Sequence, residues 1–205
     1  MPGPSAAVEL IMGFTNTVDM ESGRDELATP AGLARWLAAA GLVERPPGLT
    51  EAGHRACLDL RTGMREALDD GGAPASPHRL ALADAVLARL PVTVTLTAAT
   101  APPRDGRPPA VLVPSPDLTG GSAAVAHLAV AWAELVLTGR IRRLKRCAER
   151  RCGEVFWDTS RNHSRRWCSM QVCGNRAKVR RHTARRAGPG PSGAHGPPGS
   201  AGPAG

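Results

Sequence analysis

Apolar positions recur at helical spacing through most of the first 140 residues. In "ATPAGLARWLAAAGLV", Leu33, Trp36, Leu37 and Ala40 share one face. Thr29 stands where a cap is needed, Pro30 suits the first helical position and Gly41 ends the run. "LTEAGHRACLDLRTGMREALDDGG" repeats this logic. Thr50 is its cap, Leu60, Met64, Ala67 and Leu68 form its buried side, and Gly71-Gly72 stop it after Asp69-Asp70. A third helix is expected from Ser76-Pro77 to just before Pro91, and a long one over about 121–138 with Val125, Leu128, Ala129, Trp132 and Leu135 inside. The opening "AVELIMGFTNTVDM" reads as a helix or an extended entry strand. "VTVTLTA" instead alternates Val92, Val94 and Leu96 with threonines, the period of a half-buried strand. "AVLVP" is its expected partner across the Pro-rich loop at 101–109.

Composition changes this picture at the C-terminal end. The 205 residues carry a net charge of +8. Residues 140–186 hold 16 Lys/Arg against Glu149, Glu154 and Asp158, or +13, which leaves −5 for the rest. A mildly acidic body therefore carries a basic module, and a polyanionic partner is expected at that end. Residues 187–205 are Gly, Pro, Ala, Ser and one His, a composition that predicts disorder. No stretch approaches the roughly 20 uninterrupted apolar residues of a membrane span. The first residues lack a basic segment followed by an apolar signal core, so a cytoplasmic, nucleoid-associated protein is expected, with no membrane partner.

Four of the five cysteines fall in "CAERRCGEVFWDTSRNHSRRWCSMQVC", as C-x4-C, fifteen residues, then C-x4-C. Two short cysteine turns separated by a hairpin-sized insert supply the tetrahedral thiolate set that zinc prefers. Cys147, Cys152, Cys168 and Cys173 are thus the expected ligands of one structural Zn²⁺. An iron–sulfur cluster, which also takes four thiolates, is the chemical alternative. "EVFWD" reads as a strand, "TSRNH" as a turn and "RRWC" as the returning strand, with Ser169 capping a helix. The expected fold is mainly α with a small β-hairpin. It comprises a helical domain (8–139), a treble-clef-like zinc finger (140–186) and the tail. Trp157 and Trp167 are expected in the finger's small core, and loss of metal is expected to unfold the finger while the helical body stays folded. Four ligands leave no open coordination position. No nucleophile motif appears elsewhere, so an enzyme is not expected.

"CGNR" at Cys173–Arg176, preceded by "FWDTSRNHSRRWCSM", resembles the CGNR-type zinc-finger family. In that family the finger follows an N-terminal ABATE domain, and the proteins are regarded as stress-induced transcription regulators. "FTNT" at Phe14–Thr17 is similar to the ABATE opening, and "ELATPAGLARWL" and "GLTEAG" to its next helices. The resemblance spans roughly residues 8–186. It implies zinc on the four cysteines and a finger that binds DNA. Met12-Gly13 departs from the Leu-Asp common in the family, and the Gly/Pro tail has no counterpart there.

A helix from Ser169 to Arg186 would turn Cys173, Ala177 and Ala184 toward the metal and Lys178, Arg181 and Arg185 away from it. Arg176 lies at its start. Arg161, Asn162, Arg165 and Arg166 would surround the hairpin tip. These eight residues are the expected nucleic-acid contacts, since guanidinium groups pair bidentately with phosphate and guanine edges. DNA is the first expected partner and RNA the second. A protein–protein adaptor with a purely structural finger is the remaining reading. In the body, Phe14, Asn16 and Thr17 are the polar-and-aromatic set that could line a pocket, and a homodimer or an unknown small-molecule effector is a further partner class.

Overall fold

The computed structural model describes residues 4–68, 74–96 and 112–186. Asp69-Asp70, Gly71-Gly72, the loop at 101–109 and the tail at 187–205 lie outside the described residues. Six α-helices and two short antiparallel strand pairs follow in the order α1 (Ala6–Thr15), α2 (Pro30–Ala39), α3 (Glu51–Ala67), α4 (Pro77–Leu87), β1 (Val92–Val94), β2 (Leu112–Pro114) and α5 (Gly120–Leu137). A single 3-10 turn (Arg140–Arg143) then leads into β3 (Leu144–Arg146) and β4 (Val155–Trp157). A wider π-type turn (Met170–Gly174) opens α6 (Asn175–Arg186).

Local chemistry sets several of these boundaries. The Thr29 and Thr50 hydroxyls accept from the amides of Gly32 and Gly53 at 3.0 and 3.1 Å, each satisfying an orphan donor of a helix N-terminus. Gly41 follows α2 with a left-handed φ of 70°. The opening segment resolves to a helix, because Val8, Ile11 and Phe14 share the face that is buried against the other helices. Ala40 and Ala67, expected inside, are exposed at helix ends where the neighbouring helix no longer covers them.

The core lies between α1, α3 and α5, with Leu27, Leu33, Leu37, Leu60, Leu128 and Leu135 fully buried. Although α5 is long and apolar enough to cross a membrane, its Ala124, Val125, Leu128 and Leu135 are spent on this core. Cys57 is buried in the same cluster as an ordinary small apolar residue. Burial raises its thiol to about 12, so it stays protonated.

The expected pairing of β1 with β2 is present, with Val92 opposite Pro114 and Val94 opposite Leu112. The expected burial is not. Val92, Val94 and Leu96 are all exposed, although α5 runs beside both strands. Alternation marks the strand but does not fix how far a neighbour covers it.

The packing of α3 on α4 depends on one missing side chain. A Cβ at Gly63 would stand 2.1 Å from the Ala83 Cβ and 3.1 Å from the Arg79 carbonyl oxygen. Gly63→Ala is therefore expected to lower stability by about 2 kcal/mol, although alanine is the better helix former. Urea unfolding of the variant checks the sign.

Candidate metal centre and basic face

Each half of the finger delivers two sulfurs. After β3 the chain turns sharply, the amides of Cys152 and Gly153 donating to the Glu149 carbonyl at 2.9 and 3.0 Å. Gly153 takes the left-handed φ of 56° that this knuckle requires. Cys168 precedes Ser169, whose hydroxyl accepts from the Val172 amide at 3.3 Å and so caps the turn carrying Cys173. The four Sγ atoms all lie within 4.8 Å of one another. Cys152 and Cys168 are 3.6 Å apart, and Cys168 and Cys173 are 3.7 Å apart.

These separations test the fit to a metal. A tetrahedron of sulfurs about 2.3 Å from one zinc has edges of about 3.8 Å. The cage therefore has the size of a single ion, whereas a polynuclear iron–sulfur cluster interposes several atoms between its thiolates and needs a wider one. As thiols, Cys168 and Cys173 are pushed up by burial, the latter to about 12, and Glu154 and Cys152 push Cys168 further up. Four such sulfurs cannot ionise together without a cation among them, so zinc uptake releases protons. The site takes one structural zinc ion, held by Cys147, Cys152, Cys168 and Cys173.

The hairpin differs from the one expected. β4 pairs not with "RRWC" but with the upstream β3, with Leu144 opposite Trp157 and Arg146 opposite Val155. "RRWC" forms no strand and contributes one ladder-like bond, from the Ala148 amide to the Arg166 carbonyl at 2.9 Å. This register gives the two faces of β4 different tasks. Phe156 turns to the zinc side and packs with Cys147, Cys173 and Trp167. Val155 enters the core of the helical body, as does Leu144, and Trp157 packs against that core too. Of the two tryptophans expected in the finger's core, only Trp167 is there.

Finger and body are thus joined by a shared core, and polar contacts reinforce the joint. The Asn16 side chain makes a reciprocal amide pair with Val155. Its Nδ2 donates to the Val155 carbonyl at 2.8 Å, and its Oδ1 accepts from the Val155 amide at 2.8 Å. Arg65 is buried between the two parts, donating to the carbonyls of Thr15 at 2.5 Å and Gly153 at 2.7 Å. Burial, with Arg146 and Arg61 nearby, lowers its pKa to about 10, which leaves it charged at neutral pH. Of the residues expected to line a pocket, Asn16 serves this joint, while Phe14 and Thr17 are buried within the body. Phe14 is in the core against Trp36, ring centroids 5.4 Å apart. Asn16 holds β4, and the Thr17 hydroxyl accepts from Arg61 at 2.9 Å beside the bidentate Arg61–Asp25 pair.

Much of the module's positive charge is consumed internally. Lys145 is nearly buried and lies 3.2 Å from Asp158, itself fully buried. The same ammonium donates to the His163 carbonyl and, at 3.3 Å, to the Arg165 carbonyl. Arg165, an expected nucleic-acid contact, donates to the Cys168 carbonyl at 2.5 Å and sits 5.0 Å from the Phe156 ring, so it serves the finger's interior. Arg176, another, pairs at 3.0 Å with Glu21 of the body. Arg180 pairs at 2.6 Å with Glu149, a carboxylate buried in the cysteine knuckle. Arg166 lies over Trp167. Arg161, Asn162, Lys178 and Arg181 are exposed and have no side-chain partner among the described residues. The side chain of Arg185 lies outside the described residues. Arg65, Glu149 and Asp158 carry no signal of their roles in the sequence, since each gains its role from a partner brought close by folding.

The family model for ABATE, described as "Putative stress-induced transcription regulator", matches residues 9–139. The chain belongs to the ABATE family. The CGNR zinc-finger model matches residues 143–186, so the ABATE match covers most of α1 and all of α2 to α5, and the CGNR match covers the whole cysteine cage and α6. No curated protein matches the chain.

Chelation of zinc, or Cys168→Ser, is expected to lower the melting temperature of the ABATE helices as well as unfold the finger. Withdrawing Leu144 and Val155 from the core costs about 3 kcal/mol or more. Far-ultraviolet circular dichroism against temperature, with and without chelator, checks this. Asp158 is held at about 2 because hydrogen bonds from Ser160, Lys145 and the Arg165 amide outweigh its burial. Its stabilising contribution is therefore fully present above the unfolded carboxylate range near pH 4 and is lost as pH falls toward 2. The stability gap between wild type and Asp158→Asn should be about 3 kcal/mol at pH 7 and shrink steadily in acid, measured by denaturant unfolding across pH.

Proposed function

We propose that the chain is a transcription regulator whose CGNR finger binds duplex DNA, with the outer side of α6 and the loop after β4 as the contact surface. The observation that carries this reading is the division of labour among the cations. Arg176 and Arg180 tie α6 to Glu21 and Glu149, while Lys178, Arg181 and Arg161 stay exposed without acidic partners among the described residues. A helix fixed on one side by ion pairs and cationic on the other suits a groove lined by phosphates. The ABATE description supports regulation, and the closed thiolate cage supports binding rather than catalysis.

Binding of the zinc-loaded chain to duplex DNA should weaken with salt, log K falling with log salt at a slope of about −3 for three phosphate contacts. Lys178→Glu with Arg181→Glu should reduce affinity at least about tenfold without changing the melting temperature. A flat salt dependence, or unchanged affinity in the double variant, would sink the proposal. Preference for structured RNA over duplex DNA would replace DNA by RNA as the partner.

A further inference from the structure

The joint between body and finger does not use the groove on the opposite flank of α1. This groove, of about 700 Å³, runs between α1, the end of α2 and α5, a size that accepts a drug-like molecule. Leu10, Leu42, Val130 and Ala131 supply apolar lining. Trp36 is half-buried there, resting on Phe14. Gly13 leaves the ring uncovered on the α1 side, since even a Cβ at that position would come within 3.9 Å of the Trp36 Cζ2.

The charge of the lining is one-sided. Glu9 and Glu134 are its only charged side chains, both exposed and neither paired among the described residues. His127 also lines the groove; although exposed, it is partly desolvated, which lowers its pKa below the usual imidazole value, so it is mainly neutral at pH 7. An anion would find nothing to pair with here. A cation carrying apolar groups would find an indole ring and two carboxylates in a groove of mixed polar and apolar lining, and such an ion gains from both aromatic and carboxylate contacts.

We propose that this groove is a binding site for a lipophilic organic cation, with Trp36 as the aromatic wall and Glu9 and Glu134 as counter-charges. Its position would make the ligand an effector. α1 ends at Thr15, one residue before Asn16, whose amide holds Val155 of the finger. α5 ends at Leu137 and passes through Gly139 and one 3-10 turn into β3. Both long walls of the groove therefore lead into the finger, and a molecule that braces α1 against α5 bears on the finger's seat.

Isothermal titration calorimetry on the full zinc-loaded chain, with tetraphenylphosphonium as the probe, tests the site without involving nucleic acid, so its outcome is separate from that of the DNA reading. The wild type should bind one equivalent. Glu9→Gln combined with Glu134→Gln should weaken binding at least tenfold with an unchanged melting temperature, while Glu44→Gln, outside the groove, should have no effect. Absence of binding to the wild type, or equal affinity in the double variant, would overturn the proposal. So would sedimentation showing a dimer that occupies this face and takes up no probe.

Discussion

Four sulfur atoms within 4.8 Å of one another are the constraint on which the finger depends. Thiols can crowd in this way, but thiolates cannot without a cation at their centre. A zinc ion there would join the knuckle after β3 to the turn that opens α6, which are otherwise linked mainly by the Glu149–Arg180 pair. Only Phe156 and Trp167 accompany the cysteines in the finger's own apolar cluster, far too little to fold a segment of this size unaided. The rest of its stability is supplied by the helical body, through Leu144 and Val155.

The charge distribution follows from the same shortage of apolar material. A chain without tyrosine and with two phenylalanines fills the finger's interior with cations whose stems pack and whose heads are paired. Lys145 and Asp158 are the clearest case, and Arg165 over Phe156 another. Net charge alone would count each of these as available to a polyanion. The structure separates them from Lys178, Arg181 and Arg161, which remain at the surface.

What could be read from the sequence was what depends on neighbours along the chain. Thr29 and Thr50 act as caps within three residues of themselves, and the cysteine spacing encodes its own knuckles. The helices of the body and the identity of the cage were legible for that reason. Asn16 reaches a partner 139 residues away and Arg65 one 88 residues away; the "FTNT" stretch draws notice to Asn16 without naming that partner, and no local signal marks Arg65. The returning strand was misplaced because three-residue strands carry too short a pattern to name their partner, and "LKR" has no alternation to betray β3. The exposed β1 shows the converse, a correct period whose apolar side chains stay in solvent.

Glu149 has a consequence for how α6 meets anything it touches. A carboxylate enclosed by the knuckle reaches Arg180, one turn beyond Arg176, which is itself held by Glu21. Two tethers on one side of a helix remove its freedom to roll about its own axis. The entropy of aiming that helix is then lost during folding and not at the moment of encounter, so the outward side chains of α6 arrive already aligned.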